Sequence, residues 1–130
     1  MRDRACKRAA LSYDKIMEVT PREIRLYITS DGRIPFKEWF DSLRDRKARV
    51  RIKLRLDRVE QGNLGDCRSV GAGIFELRID YGPGYRVYFG QIGSTIVLIL
   101  YGGDKSTQEQ DISKARDYWR EYEERENADQ

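Results

Sequence analysis

Arg78, Arg86 and Tyr88 are the side chains of this 130-residue sequence whose types and spacing best suit chemistry on an anion. In the stretch FELRIDYGPGYRVYFG, Phe75, Leu77, Ile79 and Tyr81 alternate with Glu76, Arg78 and Asp80; Gly82-Pro-Gly84 turns the chain; Tyr85, Val87 and Phe89 alternate with Arg86 and Tyr88. Strand side chains alternate between faces and cross-strand partners share one. Two hairpin registers satisfy the turn, with Arg86 opposite Asp80 or opposite Arg78. In both, the two guanidiniums and the phenol share the face opposite Leu77, Ile79, Val87 and Phe89. A guanidinium is permanently charged, and its planar fork matches a phosphate. Glu76 and Asp80 support a competing reading, in which the arginines are ordinary cross-strand ion pairs.

Lys105 adds a third cation. Gly102-Gly-Asp-Lys-Ser106 leaves a strand and opens a helix, where unpaired backbone N–H groups and the positive dipole end favour anions. It is no Walker motif, which needs four residues between its glycines and a glycine directly before the lysine. A further basic element runs through RKARVRIKLRLDRVEQ, from which Arg46, Lys47, Arg51 and Lys53 are candidates to track a nucleic-acid backbone; the polar side of an amphipathic helix is the competing reading.

The remaining composition narrows the chemistry. Histidine is absent, which removes the commonest metal ligand and the usual general base near neutral pH. Cys6 and Cys67 match no zinc or disulfide spacing and read as free thiols. The longest apolar run, Ile96 to Leu100, is far below the roughly 20 residues of a membrane span, and the basic N-terminus lacks the apolar core of a secretory signal, so a cytoplasmic protein with no membrane partner is expected. Net charge is +3, but residues 117–130 carry six acidic against two basic side chains, leaving +7 on the rest. That asymmetry suits an anionic partner.

The elements that would position these groups follow from periodicity. Ile24, Leu26 and Ile28 alternate with polar residues as a half-buried strand. Pro35 opens a helix with the stripe Phe36, Trp39, Phe40 and Leu43. A second helix, residues 46–61, ends at Gly62; Ala48, Ile52, Leu56 and Val59 line one side, and Val50 and Leu54 nearly the opposite one. Residues 63–73 read as a glycine-rich loop. The hairpin follows, then an apolar strand from Thr95 to Tyr101 covered on both faces, then a helix capped by Ser106 or Thr107 whose buried stripe is Ile112, Ala115, Trp119 and Tyr122. The order β-α-α-β-β-β-α predicts an α+β domain with a small, largely antiparallel sheet. Residues 1–16 are expected as a flexible N-terminal extension, 17–120 as the domain and 121–130 as a charged C-terminal tail.

Taken together, FKEWFDSLRDRKARVRIKLRLDRVEQGNLGDCRSVGAGIFELRIDYGPGYRVYFG and YGGDKSTQEQDISKA resemble the addiction-module killer branch of the RelE/ParE toxin superfamily, close to HigB-like toxins, over about residues 17–116. The resemblance implies a RelE-like microbial ribonuclease-type fold. It also implies a toxin paired with an antitoxin, a small helix-turn-helix protein encoded adjacently. Acting in the ribosomal A site, such a toxin cuts mRNA without metal or cofactor: the 2′-hydroxyl attacks the adjacent phosphate and leaves a 2′,3′-cyclic phosphate. By that resemblance Arg78 and Arg86 stabilise the phosphorane, and Lys105 holds the phosphate or protonates the leaving oxygen. RelE carries a tyrosine at the start of its last helix, where this chain reads Ser-Thr-Gln-Glu-Gln-Asp, so Tyr88, Tyr101, Asp104 or a lysine would serve as base. A ParE-like inhibitor of DNA gyrase without enzymatic activity, and a non-toxic antitoxin-binding relic, share the same expected fold. Val50 and Leu54 are the expected antitoxin contact.

Overall fold

A computed structural model describes residues 20–129. The expected extension over residues 1–16, and Met17 as the start of the domain, lie outside the described residues. The elements are β1 (Glu23–Leu26), α1 (Pro35–Ser42), α2 (Arg46–Glu60), β2 (Cys67–Gly71), β3 (Ile74–Ile79), β4 (Tyr85–Ile92), β5 (Ile96–Asp104), a short 3-10 turn (Lys105–Thr107) and α3 (Gln108–Ala128). The fold is α+β: three helices and one five-stranded mixed sheet in the order β1-β5-β4-β3-β2.

Three of the four strand pairings are antiparallel, as expected, and two features of the sheet add to that expectation. Strand β2 lies inside the segment read as a loop and pairs antiparallel with β3, Arg68 facing Glu76. As an edge strand that ends on Gly71 and lies between Gly65 and Gly73, CRSVG carries too little apolar alternation to announce itself. Strand β1 pairs in parallel with β5, Ile24 beside Val97, which makes the sheet mixed. The backbone N–H of Tyr27 continues that pairing to the Ile99 carbonyl at 2.9 Å. Ile24 and Leu26 pack inward as expected, but the strand ends there, so Tyr27 is buried on the opposite face and Ile28 is exposed.

The two faces bury different helices. On one, Leu77, Val87, Phe89, Val97 and Ile99 meet Phe36, Trp39 and Phe40 of α1 and Ala48, Ile52 and Val59 of α2. On the other, Ile74, Tyr88, Leu98 and Leu100 meet Ala115, Ile112, Tyr118 and Trp119 of α3. Strand β5 lies between β1 and β4 with helices on both sides, which explains its continuous apolar character. Between Tyr88–Tyr101 and Phe89–Ile99 the pairing slips by one residue, with Leu100 as the extra residue. The slip keeps Leu100 and Tyr101 both with the α3 layer and turns Gly102 toward α1.

Helix ends follow local rules. Pro35 takes the first position of α1, where its missing N–H costs nothing. Asp45 caps α2 by accepting from the Lys47 and Ala48 backbone N–H groups at 2.9 and 3.2 Å. Gly62, at φ +96°, supplies the left-handed residue that ends it. Helix α3 runs past residue 120, so residues 121–128 continue it against β1. The Tyr27 hydroxyl bonds the Glu121 carboxylate, and Arg125 donates to the Ile28 carbonyl at 2.7 Å. Cys67, read as a free thiol, is fully buried and disulfide-bonded.

Both tryptophans lie on glycines. A Cβ on Gly102 would sit 2.3 Å from the Trp39 ring, and one on Gly90 would sit 2.2 Å from the Trp119 ring. Gly102→Ala and Gly90→Ala should therefore each lower the unfolding free energy by about 1–3 kcal/mol, the usual cost of overpacking a tight core. Urea denaturation checks this, and an unchanged midpoint for either variant would show that its indole is free to shift.

Candidate functional site

The hairpin adopts the register that places Arg78 opposite Arg86 and Glu76 opposite Tyr88. Two guanidiniums directly across from one another repel unless an anion lies between them. Glu76 is that anion. Its side chain is 0% exposed and takes two sets of partners. Oε1 faces Arg78 Nε at 3.1 Å and Arg68 Nε at 3.4 Å. Oε2 accepts from Gln108 Nε2 at 2.7 Å and the Tyr88 hydroxyl at 3.1 Å, with Arg86 Nε at 3.8 Å. A buried carboxylate without such partners would cost several kcal/mol. Of this set, Arg68 was hidden in the expected loop, and Gln108, the first residue of α3, is 32 positions away in sequence.

Three of the four expected catalytic residues converge. Arg78, Arg86 and Lys105 line one open cleft of about 400 Å³ at the Gly82-Pro83-Gly84 turn, together with Asp66 and Asp80. Arg86 is only 8% exposed, and its Nη1 donates to the turn carbonyls of Gly84 and Tyr85 at 3.2 and 3.3 Å. Lys105 stands exposed on the rim in the 3-10 turn, where Asp104 accepts from the Ser106 backbone N–H at 2.8 Å. The carboxylates of Asp66 and Asp80 make no ion pair among the described residues.

The structure does not bring Tyr88 to the cleft. It lies at 0% exposure beneath α3, donating to Glu76. Burial, and then the Glu76 charge, hold its phenol far above the ordinary tyrosine value. Burial also raises the Asp111 carboxyl, which accepts from the Thr107 hydroxyl at 2.5 Å and lies so close over Gly103, the cross-strand neighbour of Arg86, that a Cβ there would collide.

A second groove, about 420 Å³, adjoins the cleft through the shared residues Arg78 and Asp80 and is lined also by Arg51, Leu54, Arg55 and Arg58. Helix α2 is held there at two points. The Tyr81 hydroxyl donates to Asp45 at 3.3 Å, and the Arg51 guanidinium sits 4.8 Å from the Tyr81 ring centroid. Arg55, buried, donates to the Asp66 carbonyl at 3.0 Å. Of the expected RNA-binding residues, only Arg51 lines this groove. Arg46 and Lys47 are exposed in the first turn of α2, and Lys53 faces elsewhere, 3.8 Å from Asp57. Arg58, another cation of this basic helix, lines the groove as well; it follows Arg51 by seven residues, two turns along the same ridge.

No family model matches the chain. A Haemophilus influenzae protein described as an uncharacterized protein is 47% identical to it over 83 residues, which span 64% of this chain and 84% of that protein. The chain belongs to the same family as that protein. Among the described residues, no group of three or more His, Cys, Asp or Glu is placed to hold a metal ion, and no helix is long and apolar enough to cross a membrane.

The tyrosines make burial on both faces of the sheet measurable. Tyr27, Tyr85, Tyr88 and Tyr122 all have raised values, burial being the first cause in each. A phenol that ionises less readily when folded contributes stability fully below the unfolded value of about 10, and loses it as pH rises beyond. Ultraviolet titration should show these tyrosines resisting ionisation until the protein unfolds, and the melting temperature should fall above about pH 10. Tyr88→Phe should soften that fall. Simultaneous titration of all eight tyrosines near pH 10 would contradict the burial.

Proposed function

We propose that this protein is a RelE/ParE-superfamily toxin of the HigB-like branch, with a RelE-like fold, that cleaves mRNA and is held in check by an adjacently encoded antitoxin. The single observation that carries the reading is the cleft in which Arg78, Arg86 and Lys105 meet on a carboxylate-anchored sheet face. Around Glu76 three guanidiniums face one carboxylate, an excess of two positive charges, which suits the charge that develops on a phosphorane.

In this reading the RNA 2′-oxygen forms a bond to phosphorus as the bond to the 5′-oxygen breaks, leaving a 2′,3′-cyclic phosphate and a 5′-hydroxyl. Arg78 and Arg86 hold the non-bridging oxygens. Lys105, on the rim, protonates the departing 5′-oxygen. Asp66 and Asp80 are the carboxylates within the cleft that can take the 2′-hydroxyl proton. Tyr88 serves through Glu76, since a buried phenol with a strongly raised value is a poor base. The groove beside α2 carries the flanking strand, Arg51 and Arg58 contacting phosphates.

Induction in a bacterial host, followed by mapping of transcript ends, tests the activity. New 5′-hydroxyl ends are expected from the wild-type protein. Arg86→Ala should reduce cleavage by about 10²–10³-fold, the scale of losing one preorganised charge-stabilising donor. Intact transcripts with a DNA-damage response would instead favour a gyrase inhibitor. Arg51→Ala should leave cleavage of bound RNA unchanged but weaken RNA binding and lower the magnitude of its salt slope by about one. A filter-binding series across salt concentrations reads this, and an unaltered slope would remove the groove from the RNA path.

A further inference from the structure

Each of the three arginines around Glu76 approaches the carboxylate through Nε: Arg78 at 3.1 Å, Arg68 at 3.4 Å and Arg86 at 3.8 Å. A guanidinium carries five N–H donors, so engagement at Nε leaves donors on its terminal nitrogens for a second partner. Among the described residues Arg78 makes no hydrogen bond through either Nη, and Arg86 uses only Nη1, on the turn carbonyls. These two arginines line the cleft. Tyr88 and Gln108 donate to Oε2, so Glu76 is satisfied without drawing on those terminal groups.

We propose that Glu76 is the positioning residue of the cleft: a buried carboxylate that accepts from Arg78 Nε and faces Arg86 Nε as an ion pair at 3.8 Å, and so holds both guanidiniums with free Nη donors for a phosphate. The arrangement is a preorganised anion receptor in which the carboxylate that holds the two arginines lies behind them, while Asp66 and Asp80 line the cleft itself. Gln108 extends the control to α3, because its bond to Glu76 fixes the start of that helix beside Lys105. The catalytic consequence rests on the ribonuclease reading; the positioning does not.

Two measurements separate those claims. In the wild-type protein, nitrogen-15 NMR of the arginine side chains should show exchange-protected Nε–H signals for Arg78 and Arg86. Added inorganic phosphate should move their Nη signals and leave the Nε signals nearly in place. Nε–H groups that exchange freely with water, or that move with phosphate as far as the Nη groups, would overturn the proposal without any substitution. The second measurement uses Glu76→Gln, which keeps the shape and removes the charge. With folding verified by retained backbone dispersion, kcat for RNA cleavage should fall about 10²-fold while KM changes less than about threefold, the pattern of lost alignment. Wild-type kcat in folded Glu76→Gln would refute a positioning role. A wild-type protein that cleaves no RNA yet shows protected Nε–H signals would end the ribonuclease reading and leave the receptor standing.

Discussion

A carboxylate at zero exposure is the constraint around which this end of the sheet is arranged. Glu76 cannot be buried alone, and its charge fixes the identity of what surrounds it: Arg68 from β2, Arg78 from its own strand, Arg86 and Tyr88 from β4, Gln108 from α3. Removing one partner of a buried ion pair commonly costs about 3–5 kcal/mol, because the other charge is left stranded. The same anion permits two arginines to face each other across the hairpin, a placement that would otherwise oppose pairing. The group that secures this end of the sheet is therefore also the one that holds the arginines of the cleft.

The rest of the fold presents that group. The apolar layer packs α1 and α2 against one face of the sheet, α3 packs on the other, and the cleft opens at the hairpin turn. Asp45 serves two elements at once, capping α2 and accepting from Tyr81, so the basic ridge of Arg51 and Arg58 is held next to the hairpin turn. The cleft and the groove meet at Arg78 and Asp80, which makes a path along which an extended polyanion can lie.

Much of this was legible in the residues. The period of two in β3 and β4 places Arg78, Arg86 and Tyr88 on one face whatever the register, and the stripes of the three helices follow their spacing. Glu76 was visible only as a possible neutraliser, since alternation gives a face but not a depth. The depth of Tyr88 was hidden for the same reason: it shares the arginines' face but lies under α3, where the apolar layer begins. Strand β2 escaped because an edge strand needs little apolar alternation, and with it went Arg68. The parallel pairing of β1 with β5 leaves no mark in hydrophobic pattern, which reports burial and not direction.

The two tryptophans, the only ones in the chain, lie on opposite faces of the sheet, Trp39 over Gly102 and Trp119 over Gly90. Each indole is thus a fluorophore belonging to one layer. Emission from Trp39 follows the docking of α1, and emission from Trp119 follows the docking of α3, the helix that supplies Gln108 to the site. A single-tryptophan version of the protein would let loosening of the site-bearing layer be watched separately from melting of the other.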